Sequence, residues 1–491
     1  MLPEEQLRKQ RLEKLNSLKE LKQNPYDYSY KKTHATIEVL EKFKSLEKEE
    51  RANRKVSIAG RIMTLRVMGK ASFGHLQDQS GRIQFYIKEE DSPENYKVFK
   101  KLDLGDIIGI GGIVFRTKMG EITVWCKKIR LLTKCLHPLP EKWHGLQDIE
   151  TRYRQRYLDL IVNPDIKNIF NNRSQIINAI REFLVKQGYI EVETPILQPI
   201  YGGTNARPFE SKLNALNMKV FMRISNELYL KRLLVGGYEK IFEFSQDFRN
   251  EGIDKTHNPE FLLMETMWCY ADYTDNMGLT EDLIEYIAKK VLKTTVIEYQ
   301  GKKIDLKKPW KRYRMIDAIK HFAGIDFENS SDSEIHEIMR KNKIEYPNEE
   351  FSRGLAMELI FKYLVEPKLI QPTIIYDYPK ETSPLSKKHR SDPRFVERFE
   401  PFINGWEMGN SYSELNDPRE LEQNWKQQES KHQKGNIEAQ RLDNDFIRAL
   451  EYGMPPASGL GLGIDRLVML FTNSESIRDV ILFPFMKPEN N

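Results

Sequence analysis

From Val56 onward the apolar pattern of this chain breaks into short β-like runs: Val56–Met63, Ser72–Gln77, Arg82–Lys88, Ile107–Phe115 and Glu121–Leu131, parted by Gly, Asp and Ser. Five strands this short, within roughly 80 residues, fit a small closed barrel, because closure leaves no strand edge exposed. The barrel cannot be the whole molecule. At 491 residues the chain outgrows a single core, and two or three domains are expected.

Upstream of the barrel, Leu7, Leu12, Leu15 and Leu18 give rough helical spacing over residues 4–24, and Pro25 stops the helix. Residues 36–51 read as a second, highly charged helix. The expected extension, residues 1–55, holds 14 Lys/Arg against 10 Asp/Glu. Charge this mixed reads as a solvated helix face ahead of a nucleic-acid footprint. Downstream, the barrel domain is expected over 56–135 and a linker over 136–150, where Pro138, Pro140 and Gly145 fall. Residues 151–491 form the larger domain. Its first helix carries Ile176, Ile177, Ile180, Phe183 and Leu184, and Gly188 is placed for a left-handed cap. A strand over Tyr189–Thr194 follows and ends at Pro195. Residues 275–370 have mostly helical periodicity and read as an insertion.

Several classes of protein are excluded. No stretch approaches the ~20 apolar residues of a membrane span, and the N-terminus lacks the apolar run of a secretory signal. Cys126, Cys135 and Cys269 form no CxxC pair, and their odd number argues against a disulfide framework and a structural zinc. A cytoplasmic address is expected. No GxxxxGK[ST] string is present, and the glycines at 459, 461 and 463 lack the βαβ context and acidic residue of a dinucleotide loop.

The larger domain does carry a constellation of its own. Ile241–Phe248 and Phe261–Tyr270 read as paired strands with Arg249 just beyond the first. Phe261, Leu263, Glu265 and Met267 share one face of the second. A ring and a carboxylate two steps apart can hold a flat base and an amine. Alternate glycines weaken a strand unless something approaches it closely. Arg466 then falls where that strand gives way to a helix. Asn404-Gly405 between apolar neighbours signals a two-residue hairpin pairing Ile403 with Trp406 and Phe402 with Glu407. Glu400 and Glu407 then lie diagonally on one face, either as solvated neighbours or as a pair awaiting a cation. Ser225 reads as an N-cap, which puts Glu227 in the first helical turn; its bland role there is to meet the helix dipole.

The strings Phe248-Arg249-Asn250-Glu251-Gly252, His257-Asn258-Pro259-Glu260-Phe261 and Gly459-Leu460-Gly461-Leu462-Gly463-Ile464-Asp465-Arg466 resemble, in this order, motifs 2 and 3 of class II aminoacyl-tRNA synthetases. Their spelling is similar to that of lysyl-tRNA synthetases, a class IIb family, over nearly the whole chain. The resemblance implies an α+β fold: a five-stranded OB-type barrel that binds the anticodon, then a catalytic domain on an antiparallel sheet flanked by helices. It implies a homodimer through the helix–strand–proline unit, which resembles motif 1. It implies ATP contacts from Arg249, Glu251, His257, Asn258, Phe261, Glu400, Glu407, Gly463 and Arg466, with Arg249 and Arg466 as the catalytic residues. Magnesium would sit at Glu400 and Glu407, since hard oxygen ligands and a triphosphate select that ion. Lysine contacts would come from Gly203, Glu227, Arg249, Glu265, Asn410 and Glu414, with Met267 also in the pocket. In the barrel, Phe73 would stack on a base of tRNA(Lys) while Gln84 and Glu121 read edges; read without the family, Phe73 is barrel core.

Two consequences are specific to this chain. Strict alternation puts Asn410 and Glu414 on the face opposite Glu407, so an irregularity is expected near Gly409. The resembled family places a tyrosine where Met267 stands, and thioether sulfur is only a weak acceptor, so weaker lysine affinity or discrimination is expected. Three other readings stay open here: a paralogue that lysylates protein, an aspartyl- or asparaginyl-tRNA synthetase, and a non-catalytic RNA-binding derivative.

Overall fold

The computed structural model describes residues 4–140, 146–347, 351–433 and 442–489, so residues 141–145 of the expected linker lie outside the described residues. The chain divides into two compact units, residues 1–147 and 148–491.

In the first unit, strands β1 (Arg51–Met68), β2 (Ala71–Gln77), β3 (Arg82–Lys88), β4 (Ile107–Arg116) and β5 (Ile122–Thr133) close into a barrel in the order β1-β2-β3-β5-β4. Only β3 and β5 run parallel. Alternation fills the interior: Ile58, Ile62, Leu76, Ile83, Phe85, Ile110 and Val124 are buried. The helix expected over 36–51 spans only Thr36–Lys42. Sheet pairing captures the rest, because Arg51 already pairs with Phe115 and the Glu49 N–H donates to the Arg116 carbonyl. Leu18, Val39 and Phe43 belong to the barrel's own core, so the helical segments before residue 55 and the barrel share one hydrophobic cluster.

The second unit is built on one large sheet. From edge to edge its strands are Lys311–Arg314, Thr373–Pro379, Phe395–Ile403, Gly409–Ser413, Ala457–Gly463, Glu260–Cys269, Lys240–Phe248 and Ile190–Glu191, with Trp406–Glu407 paired to Phe395–Ile403. The central pairs are antiparallel. Both edge pairs are parallel, so the expected antiparallel sheet holds through the centre and is mixed at its edges. Each edge strand joins its neighbour through a helical crossover, which is what a parallel pair requires. Helices Asp332–Lys341 and Arg353–Leu364 fill one crossover and Glu227–Val235 lies in the other.

Helices Ile166–Lys186, Tyr273–Ile287 and Ile464–Thr472 pack with the sheet, and Ile180, Leu184, Leu283, Leu467, Leu460 and Leu462 fall in one core cluster. Gly188 caps the first of them at φ +85°, with N–H groups of Gly188 and Tyr189 donating to Val185 and Leu184 carbonyls, both at 3.0 Å. The strand expected at Tyr189–Thr194 pairs only over Ile190–Glu191. The insertion is not purely helical: it holds the hairpin Val296–Tyr299/Lys302–Asp305 and the edge strand Lys311–Arg314. Strands of four residues are too short to impose a visible period.

The turn at Asn404-Gly405 forms as expected. Both residues have positive φ, 56° and 71°, and the flanking pairs are Ile403 with Trp406 and Phe402 with Glu407. Further along, Phe399 pairs with Ser411 and Arg398 with Tyr412, one residue out of the earlier register. That shift is the irregularity expected near Gly409.

Candidate active site

A cavity of about 430 Å³ opens against the sheet of the second unit, and all fifteen residues singled out in this unit line it. The register shift at 408–411 is what makes this possible: Glu407 stays on the cavity side while Asn410, Tyr412 and Glu414 also reach it. The glycines of Ala457–Gly463 make room. A Cβ at Gly459 would stand 2.5 Å from Glu414 Oε1 and 3.0 Å from Met267 Sδ.

Two guanidinium groups line the cavity. The Arg249 guanidinium lies over the Phe261 ring, 5.0 Å from its centroid. Arg466, in the first turn of Ile464–Thr472, donates through Nη1 to the Glu407 carbonyl at 2.7 Å, and its Nη2 lies 3.1 Å from His257 Nε2. Asp254 accepts from the other side of His257, at 2.8 Å. Neighbouring Asp465 accepts the Leu262 N–H at 2.7 Å, tying this helix to the strand that carries Phe261. Asn258 donates to the Glu260 carbonyl at 2.6 Å and leaves its own Oδ1 buried without a partner. An exposed loop holds Glu251.

Carboxyl groups line the same cavity. Ser225 Oγ accepts the Glu227 N–H at 3.1 Å, so the helix Glu227–Val235 starts at Glu227, one residue later than a Ser225 N-cap implies. A Cβ on Gly203 would stand 2.8 Å from Ser225 Oγ, so the backbone at 203 can lie close to this helix start only without a side chain. Glu265 has one buried oxygen without a partner. Burial, helped by the charges of Asp247, Glu227 and Glu243, pushes its carboxyl well above the usual range. Burial also raises Glu414, against the pull of Lys231. Three carboxylates gathered here select for ammonium groups.

Glu400 and Glu407 line the cavity as well. Glu400 accepts from Arg398 Nη2 and the Tyr378 hydroxyl, both at 2.6 Å. Burial first, then the charge of Glu407, pushes it up to about 8. Such a pair fits a hard divalent cation, which would relieve the mutual repulsion. Two carboxylates do not complete a coordination shell, and among the described residues no cluster of three or more His, Cys, Asp or Glu does so. The remaining oxygens would have to come from a ligand such as a triphosphate and from water.

The barrel forms a separate candidate interface. Phe73 is half-buried on the outer face of β2 and is not barrel core; its ring centroid lies 4.8 Å from that of Tyr86. Gln84 Nε2 donates to Glu121 Oε2 at 2.6 Å. His75 Nε2 lies 2.9 Å from Glu121 Oε1, and Thr123 donates to Gln84 Oε1 at 2.8 Å. The three residues singled out here thus share one polar, aromatic face.

Four participants were missed, although each had a signal. Arg398 donates to Asn410 Oδ1 at 2.9 Å and to Glu400, linking Asn410 to the Glu400–Glu407 pair, and it lies two residues before Glu400 on one strand. Tyr412 lies midway between Asn410 and Glu414 and lines the cavity with them. Tyr378 sits across the strand pair from Val396 and reaches Glu400. Lys231 is one helical turn after Glu227 and pairs with it.

Comparison with known proteins agrees with this geometry. The family model of class II tRNA synthetases (D, K and N) matches residues 148–487, and that of the OB-fold nucleic acid binding domain matches residues 56–132. The lysine–tRNA ligase of Carboxydothermus hydrogenoformans is 51% identical, covering 99% of each chain. That of Pelotomaculum thermopropionicum is 52% identical over 98% of this chain and 95% of its own. That of Bacillus subtilis is 49% identical over 97% and 96%. With two arginines and two carboxylates around a sheet-borne cavity in one unit and an OB barrel in the other, the chain belongs to the class II tRNA synthetases of the D, K and N group.

Proposed function

We propose that this chain is a lysine–tRNA ligase, which joins L-lysine to ATP as lysyl-adenylate and passes the lysyl group to the 3′ end of tRNA(Lys). The observation that carries this reading is the chemistry of one cavity, whose lining brings Glu227, Glu265 and Glu414 together with Arg249 and Arg466. Within the D, K and N group, aspartate or asparagine would need cationic or amide-reading groups around its side chain. Three carboxyl groups there would leave a neutral side chain without the ammonium that they are placed to meet, a penalty of several kcal/mol. Ornithine is rejected less strongly, since one methylene is worth ~1–3 kcal/mol.

In the proposed reaction an oxygen of the lysine carboxylate attacks the α-phosphorus of ATP as the bond to pyrophosphate breaks. The carboxylate is already ionised at neutral pH, so no side chain need act as a general base. Arg249 orients this carboxylate and the α-phosphate, Arg466 holds the far phosphates, and Phe261 stacks on the adenine. Arginine suits both posts because its fork is permanently charged and meets phosphate oxygens bidentately. Glu400 and Glu407 would hold Mg²⁺, which when bound neutralises phosphate charge. Glu251, His257 and Asn258 close over the nucleotide, and Gly463 lets the backbone approach it. Glu227 and the backbone at Gly203 take the α-ammonium; Glu414, with Asn410 and Glu265, takes the side chain of lysine. Positioning and charge neutralisation account for catalysis.

Phe73, Gln84 and Glu121 are proposed to stack on and read the anticodon, which their shared outer face supports. A homodimer is supported by the exposed apolar side chains of Val185, Ile190, Ile196, Leu197 and Ile200. All sit beside the unit resembling motif 1. A cytoplasmic location is supported by three free cysteines. The test is ATP–pyrophosphate exchange with each of the twenty amino acids. Lysine alone should support rapid exchange; exchange driven by aspartate or asparagine, or by none, would overturn the reading.

A further inference from the structure

Lys231 is a fully buried cation set into the wall of an acidic cavity. It lies in the second turn of Glu227–Val235 and is 1% exposed. Its Nζ stands 2.5 Å from Glu227 Oε1 and 2.6 Å from Glu414 Oε2. Glu227, Glu265 and Glu414 line the cavity, whereas Lys231 does not. The ammonium therefore sits behind the two carboxylates. The other oxygen of Glu414, Oε1, lies over Gly459 beside Met267, on the cavity side.

We propose that Lys231 is a positioning residue of the amino-acid site: it ties Glu227 to Glu414 from behind the wall and leaves one oxygen of each for a substrate bearing two ammonium groups. The inference rests on the lysine-activating reading given above. A carboxylate pair this deeply buried cannot stay ionised unaided, because each charge is desolvated and faces the other. Lys231 is the cation in contact with both carboxylates, and the Tyr412 hydroxyl and the Gly459 backbone add hydrogen bonds to Glu227 and Glu414. Glu227 on the same helix and Glu414 on the adjoining strand end repel each other, and the Glu265 carboxylate and the Tyr412 hydroxyl close the ring. From the hairpin, Asp247 and Glu243 add negative charge near Glu265, offset by Arg249 there and by Arg223, which pairs with Glu243 at 2.7 Å. Lys231 supplies the cation that Glu227 and Glu414 share, and their two charges hold its own pKa above the ordinary value despite burial. Without it, Glu414, already raised by burial, would hold a proton to still higher pH, and that site for a substrate ammonium would be neutral there.

The sign of the pH effect follows. Loss of an adjacent cation raises carboxylate pKa values, so a higher pH is needed to ionise the pair. The experiment is the pH profile of kcat/KM for lysine in ATP–pyrophosphate exchange, for the full-length wild type and Lys231→Met, with ATP KM measured alongside. The acid limb of the lysine profile should move upward by about one pH unit or more, while ATP KM stays within about twofold. Norleucine, which lacks the ε-ammonium, should also become a better competitor of lysine. An unmoved acid limb would overturn the proposal, whatever happens to kcat. Should Lys231→Met fail to fold, Lys231→Arg keeps the charge: its acid limb should stay at the wild-type pH even if KM rises, and a shifted limb would overturn the proposal. Absence of lysine-dependent exchange in the wild type would instead defeat the functional reading.

Discussion

At the scale of single residues, the site works by placing charge where solvent cannot compensate it. Glu414 is the clearest case. Glu414→Gln keeps shape and removes the charge proposed to face the lysine side chain, which should cost about 2–5 kcal/mol, so lysine KM rises roughly 30-fold or more while ATP KM changes little. Steady-state exchange kinetics in each substrate check this; a parallel rise in ATP KM would mean that Glu414 supports the whole cavity. Met267 tests the opposite direction. Its sulfur lies close to Gly459, beside the Glu414 carboxylate, where a hydroxyl would be a better partner for an ammonium. Met267→Tyr should lower lysine KM or increase selectivity for lysine over ornithine, and no gain in either would refute the expected weakness of this pocket.

Secondary-structure elements set the register that brings those residues together. The two-residue turn at Asn404-Gly405 fixes which side chains of its hairpin face the cavity. In Gly405→Val a β-branched residue would be forced to φ near +71°, and its Cβ would meet the Glu366 carbonyl at 3.3 Å. The expected result is a loss of about 1–3 kcal/mol in stability, read as a lower Tm, with a raised ATP KM from misplacing Glu407 against Glu400. An unchanged Tm would show that the turn tolerates left-handed valine. Much of this level was legible in the sequence. Asn-Gly dictates a turn by itself, and a face requirement on Glu407 and Glu414 together forces a bulge near Gly409. What stayed hidden depended on distant partners. The direction of the edge strands follows from crossovers, not from local pattern. The helix begun at Thr36 loses its second half to pairing with Phe115, some 60 residues away. Lys231 is one helical turn after Glu227, an ordinary helix-face spacing, and only its contact with the distant Glu414 sets it apart.

For the whole molecule, the division into two units implies that two kinds of recognition can be separated by experiment. Phe73 lies on the barrel's outer face, and stacking of one base is worth ~1–3 kcal/mol, so Phe73→Ala should raise the KM for tRNA(Lys) about 5- to 150-fold. Lysine-dependent exchange, which needs no tRNA, should be unchanged; a loss of both would place Phe73 in the structural core. The most direct test of the proposed chemistry is a crystal structure with L-lysine and a non-hydrolysable ATP analogue bound. The expected result has the ε-ammonium within hydrogen-bonding distance of Glu414, the lysine carboxylate near Arg249, and the terminal phosphate against Arg466. Lysine bound with its side chain directed away from Glu414, or a nucleotide that bypasses both arginines, would contradict it.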